Sequence, residues 1–165
     1  MQNSAPIHIL ITGGTIDGID LQPKPEQKST VAAYIKNMVK PYFDISEQLI
    51  CFKDSRSVTD EDRESLLNAI LSSAHSHFLV THGTFTMAES AEYLLARADL
   101  LKGRTIVFVG SFCLGLIDSD GPFNLGFAAA SLNYLDEGIY VAMNGRIFPA
   151  GAVDKDLEQD RFVAR

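Results

Sequence analysis

Two threonines stand at near-identical junctions, each placed to offer a hydroxyl at the end of a strand. Thr15 follows Ile7-His8-Ile9-Leu10-Ile11-Thr12-Gly13-Gly14, and Thr84 follows Phe78-Leu79-Val80-Thr81-His82-Gly83. Each junction is a short apolar run, then glycine, then threonine. In an open parallel α/β sheet such a point is the carboxyl edge of a strand, where ligands bind. Gly14 and Gly83 let the backbone turn sharply and let a ligand come close. A hydroxyl becomes a useful nucleophile only beside a base or a cation. Two hydroxyls at one crevice therefore point to nucleophilic chemistry on a small molecule, provided that a base lies near.

The elements that must position these threonines follow from the apolar pattern. Ile7 to Thr12 reads as a buried strand, and the polar stretch from Asp17 to Lys28, with Pro23 and Pro25, as a loop. Ser29 or Thr30 caps a helix whose apolar face carries Val31, Tyr34, Ile35, Met38 and Val39, and Pro41 stops it. Phe43 to Phe52 reads as a second strand with Ile45, Leu49 and Ile50 in the core. Thr59 starts a helix with three acids in its first turn, which suits the helix dipole; Leu66, Leu67, Ile70 and Leu71 form its inner face. His77 to Thr81 is a third strand. Thr86 to Asp99 is a helix with Met87, Ala91, Leu94, Leu95 and Ala98 inward. Thr105 to Val109 is a strand apolar enough to be covered on both faces. Pro122 to Leu135 is a helix, with the proline tolerated in its first turn. Ile139 to Met143 is a fifth strand, and Asn144-Gly145 turns it into Arg146-Ile147-Phe148 as a hairpin. The tail from Asp154 is charged. This order predicts a doubly wound, flavodoxin-like, mostly parallel sheet with helices on both faces and a C-terminal β-hairpin.

Bulk properties narrow the partners. The chain has 165 residues, so one domain, 1–165, is expected. A chain of this length buries about 70% of its unfolded surface. A formal charge of −7 disfavours nucleic acid and anionic membranes as partners. No apolar run reaches the ~18 residues needed to span a bilayer. Met1-Gln2-Asn3-Ser4-Ala5-Pro6 has no basic region, so no secretory leader is expected. The two cysteines, Cys51 and Cys113, are expected to be reduced thiols in a cytoplasmic setting.

Several signatures are absent: G-x-G-x-x-G, the P-loop pattern and G-x-S-x-G. Asp118-Ser119-Asp120-Gly121 lacks the spaced ligands and closing glutamate of a calcium loop and reads as a turn into the next helix. His8, His75, His77 and His82 have no zinc spacing. No metal and no cofactor are expected. His8 and His77 read as packed or edge histidines, and His82 is placed to orient the Thr84 loop.

Taken together, several segments resemble the N-terminal domain of the bacterial-type L-asparaginase family. They are Thr12-Gly13-Gly14-Thr15-Ile16, Asp54-Ser55-Arg56-Ser57-Val58-Thr59, Thr81-His82-Gly83-Thr84 followed by Thr86-Met87, Ser119-Asp120-Gly121-Pro122-Phe123-Asn124-Leu125, and Met143-Asn144-Gly145 followed by Val153-Asp154-Lys155. They run in order over nearly the whole chain. The resemblance implies an amidohydrolase acting on a small amide, asparagine by default, as a homo-oligomer (dimer or tetramer). It implies Thr15 as nucleophile, Thr84 as the second active-site threonine and Lys155 as its partner. It implies Ser55, with Asp54, as a substrate-binding pair. Lysine serves as a base when burial lowers its pKa, and backbone N–H groups at glycine turns can hold an oxyanion.

This chain departs from the family pattern in three respects. The family has aspartate directly after the second threonine, where it binds the substrate ammonium; here Phe85 stands, as a pocket wall for another substrate or a plug over a dead site. The loop after Thr15 has no assisting tyrosine, the nearest being Tyr34 on a helix. The chain stops at Arg165, so the family's C-terminal domain is expected to be absent. These departures support an alternative, a non-catalytic binding or assembly subunit.

Overall fold

The computed structural model describes residues 5–165; Met1–Ser4, part of the stretch read above for a leader, lie outside the described residues. Strand β1 (Ile7–Gly13) is buried along its whole length. Its neighbours β3 (His77–Thr81) and β4 (Thr105–Val109) are nearly as enclosed. Such continuous apolar runs belong to parallel strands covered on both faces. With β2 (Ile45–Lys53), β5 (Gly138–Met143) and β6 (Arg146–Pro149) they form one sheet in the order β2-β1-β3-β4-β5-β6. Only β6 is antiparallel to its neighbour. The chain reverses its direction of travel between β1 and β3, so the switch point, where ligands collect in such sheets, lies between the ends of those two strands.

Helix α1 (Val31–Tyr34) continues into a π-helical segment, Ile35–Val39. Helix α2 (Asp60–Ser72) begins with a capping box, in which Thr59 and Asp62 satisfy each other's backbone N–H groups. Helices α3 (Met87–Leu95) and α2 pack together. Helix α4 (Gly121–Ser131) instead borders the same groove as α1. The α1 and α4 crossovers thus share a face while stepping in opposite directions along the sheet. One of the two must be left-handed, against the usual rule for parallel crossovers.

Four details of the pattern are corrected. Leu49 is 62% exposed, because β2 is an edge strand with one open side. Met38 and Val39 are exposed because the helix widens to a π-turn there and ends at Lys40. Leu95 and Ala98 are exposed because α3 stops at Leu95. The charged tail folds into a second hairpin, β7 (Val153–Asp156) with β8 (Arg161–Ala164). It is anchored by the buried side chains of Val153 and Phe162. Among the described residues no helix is long and apolar enough to cross a membrane.

Candidate active site

The carboxyl ends of β1 and β3 are level, with Ile11 beside Thr81, and the Thr12 hydroxyl donates to the Thr81 carbonyl at 2.7 Å. Beyond them the two junctions touch. Gly14 holds φ +88°, and a Cβ there would sit 2.3 Å from the Gly83 nitrogen, so only glycine fits. A Cβ on Gly83 would meet Ser55 Oγ at 2.6 Å. The loops after β1, β2 and β3 therefore converge on one point. The loop after β4 joins them, since the Gly115 N–H donates to the Thr15 carbonyl at 2.8 Å. Thr15 is half-buried and Thr84 is buried.

Lys155 reaches this point from β7. Its Nζ donates to Thr84 Oγ1 at 2.8 Å, joining residues 71 positions apart in the chain. Burial lowers the Lys155 pKa; Asp160 opposes this, Arg56 adds to it, and Asp54 opposes it. A lysine depressed in this way moves toward acting as a proton acceptor.

Asp54 and Ser55 tie loops together. Asp54 accepts from the Arg56 backbone N–H at 2.9 Å and grips its guanidinium at 2.7 and 3.0 Å. Burial works to raise the Asp54 carboxyl, but Arg56 outweighs it and holds the group below the usual carboxylate range. Ser55 is buried; its Oγ accepts from the Phe85 N–H at 3.1 Å, and its carbonyl accepts from the Thr86 hydroxyl at 2.6 Å. Phe85 is half-exposed and lies against two cations. Lys155 Nζ is 3.8 Å from its ring centre and the Arg56 guanidinium carbon is 4.5 Å away. Phe112 stands on Lys155 as well, at 5.0 Å.

Behind Thr84, His82 is fully buried. Its Nδ1 lies 2.8 Å from the Gly83 carbonyl, which can only accept, so the proton sits on Nδ1. Nε2 then accepts from the Ser90 hydroxyl at 2.9 Å, and Ser90 Oγ accepts from Arg63 at 3.0 Å. Burial pushes the His82 pKa down to about 4. The neutral ring pins the Gly83 carbonyl, in keeping with the expectation that His82 orients the Thr84 loop.

The Asp118–Gly121 segment feeds α4 as a turn. Asp120 accepts from the N–H groups of Phe112 and Cys113 and from the Asn124 side chain. Asn124 in turn accepts from the Asn144 N–H at 3.1 Å, and Asn144 accepts from the Phe162 N–H at 3.0 Å. This chain of amides connects the β4 loop, α4 and the hairpin that carries Lys155. His8 is buried and stacks on His75 at 4.7 Å. Cys51 and Cys113 are free thiols. No cluster that could hold a metal ion occurs among the described residues.

Thr15, Gly14, Gly83, Thr84, Phe85, Ser55, Asp54 and Lys155 thus gather at one sheet edge. Sequence reasoning missed Arg56, Phe112, Ser90 and the buried Asp17. Only Arg56 carried a signal, as a cation two residues from Asp54. Phe112 and Ser90 reach the site through tertiary packing. Tyr34 lines the groove between α1 and α4.

The family model described as asparaginase, N-terminal, matches residues 6–161. A probable periplasmic L-asparaginase of Haemophilus influenzae is 34% identical over 90% of this chain and 46% of its own length. A glutaminase-asparaginase of Acinetobacter glutaminasificans is 31% identical, covering 90% of this chain and 49% of its own. The chain spans about half the length of these curated relatives. The crystal structure of a probable cytoplasmic L-asparaginase from Campylobacter jejuni superposes with a TM-score of 0.76 at 30% identity, covering 97% of this chain and 53% of that one. The thermostable L-asparaginase from Thermococcus kodakarensis shares the fold, with a TM-score of 0.75 at 23% identity over 96% of this chain and 51% of that one.

Proposed function

Since the chain belongs to the asparaginase family, we propose that it hydrolyses a small carboxamide through an acyl-enzyme on Thr15. The observation that carries this reading is the 2.8 Å contact between Lys155 Nζ and Thr84 Oγ1, a base–hydroxyl pair beside a second threonine. Thr15 Oγ attacks the amide carbon, and its proton passes to the Lys155–Thr84 pair. The oxyanion is to be held by backbone N–H groups of the turns that carry Thr15 and Thr84, other than those of Gly14 and Phe85, which are spent on the Lys53 carbonyl and Ser55 Oγ. The C–N bond breaks, the proton returns to nitrogen, and ammonia leaves. Water then hydrolyses the ester and restores the Thr15 hydroxyl.

L-asparagine is the substrate suggested by the relatives' names, with aspartate and ammonia as products. Homo-oligomeric assembly belongs to the same proposal. So does a cytoplasmic location, which follows the name of the Campylobacter relative, whereas the Haemophilus relative is named periplasmic. Ammonia release from asparagine, glutamine and simple amides tests the reaction. Thr15→Ala should abolish release; equal release by both proteins, or none by either, would overturn it.

A second reading has its own observation. The Phe85 ring packs on the Lys155 ammonium, which suits a site that binds without turnover. A ligand that raises the melting temperature and is never consumed would support that reading.

A further inference from the structure

We infer that the site selects small carboxamides that lack an α-ammonium, favouring the monoamide of a dicarboxylic acid over the amide of an α-amino acid. The inference rests on the amidohydrolase reading and names its substrate class. It comes from where the charges around Lys155 and Thr84 are spent.

An ammonium needs a carboxylate or a free aromatic face to replace its water. Asp54 is the buried carboxylate paired within the cluster, and Arg56 occupies both of its oxygens, at 2.7 and 3.0 Å. Phe85 is the exposed aromatic ring, and it already carries Lys155 at 3.8 Å and Arg56 at 4.5 Å. An incoming ammonium would have to share that ring with two like charges. Asp17 is enclosed, with only 6% of the residue exposed: its Oδ2 accepts from the Thr81 hydroxyl at 3.4 Å, and its Oδ1 has no partner among the described residues. Asp20 and Asp160 are exposed; they act on Arg56 and Lys155 through space without forming an ion pair with either.

A carboxylate meets the opposite situation. Arg56 is 45% exposed and uses Nε and Nη2 on Asp54 and on the Asp20 carbonyl; none of the hydrogen bonds among the described residues engages Nη1. Lys155 is half-buried beside it. With Asp54 neutralising Arg56, the enclosed part of the cluster carries the charge of protonated Lys155, which Asp20 and Asp160 oppose only from solvent. A second carboxylate on the substrate answers that charge, whereas a zwitterionic amino acid brings an ammonium to which the described residues offer only solvent-exposed carboxylates.

The reaction keeps its balance: succinamate and water give succinate and ammonia, with the proton path set out above. Isothermal titration of the purified chain with succinamate and with L-asparagine tests the selection. Succinamate should bind about tenfold or more tighter. Phe85→Asp, which supplies a carboxylate, and Arg56→Gln, which frees Asp54, should each shift the ratio toward asparagine by about tenfold. Asparagine binding as tightly as succinamate, or neither binding at about 10 mM, would overturn the inference. Ammonia release separates this claim from the one beneath it. A succinamate preference without release sinks the hydrolytic reading and leaves the charge selection standing. Thr15-dependent hydrolysis with asparagine preferred does the reverse.

Discussion

Lys155 is held in one place by forces that matter for its proton. Its Nζ gives one hydrogen bond to Thr84, and two phenyl rings replace much of its water. Cation–π contact favours the charged form, while burial favours the neutral one. The substitutions that separate these roles are Lys155→Met and Lys155→Arg. Lys155→Met keeps the length and loses both the base and the charge beside Arg56, so kcat should fall by about 10²–10⁴ and KM for an anionic amide should rise. Lys155→Arg keeps the charge but cannot give up a proton near neutral pH. If Lys155 is the base, the arginine variant should be as inactive as the methionine variant in steady-state ammonia assays. An arginine variant with native kcat would show that Lys155 acts only as a charge. The pairing was legible in part: the resemblance of Met143-Asn144-Gly145 and Val153-Asp154-Lys155 to the asparaginase hairpin implied it. The rings that enclose it were not, because Phe112 reaches Lys155 across the fold and the two share no spacing rule.

The elements act through their ends. Four loops meet at the sheet edge, and the contact between the first and third is backbone against backbone. Gly14→Ala tests that contact directly. A Cβ at 2.3 Å from the Gly83 nitrogen forces the β1 and β3 loops apart, and φ +88° adds strain. Activity should vanish while the sheet survives, seen as native-like circular dichroism with a lower melting temperature. Ser90→Ala acts one layer further back. It leaves His82 Nε2 without its donor and Arg63 Nε without its acceptor, at a cost of about 1–3 kcal/mol in urea unfolding. An unchanged urea midpoint would mean that water replaces the hydroxyl without loss. The strands β1, β3 and β4 were legible as continuous apolar runs ending near glycine, and the helix α2 as a periodic run behind a cap. Exposure at Leu49 was not, because the apolar pair Leu49-Ile50 reads as core, whereas β2 lies at the sheet edge and leaves Leu49 open. The β7–β8 hairpin was hidden because its buried anchors, Val153 and Phe162, stand far apart among charges that resemble a solvated tail.

At the scale of the whole molecule, two buried groups set opposing slopes in stability against pH. Burial raises the Asp17 carboxyl to about 6, against hydrogen bonds from Ser29, Thr81 and Thr30 that pull it down, and its Oδ1 has no partner among the described residues. Its unfolded value is 3.8, so below pH 4 both states are protonated and no cost arises. Between pH 4 and 6 the unfolded state loses its proton first, and stability falls by about 3 kcal/mol as pH rises. His82 runs the other way. Its unfolded value is 6.5 and its folded value about 4, so stability falls by about 3 kcal/mol as pH drops through that window. The two contributions are similar in size and nearly cancel in the native protein. Asp17→Asn removes one and exposes the other, since the amide oxygen can still accept from Thr81. At pH 7.5 the variant should be more stable than native by up to about 3 kcal/mol, and by pH 4 the difference should close. Urea unfolding of both proteins across that range measures it. The chain nears its isoelectric point of about 5.0 on the way, so dilute samples are needed to keep association out of the measurement. Parallel profiles for the two proteins would mean that Asp17 titrates alike folded and unfolded, and that the turn beneath Thr15 admits water to its carboxylate.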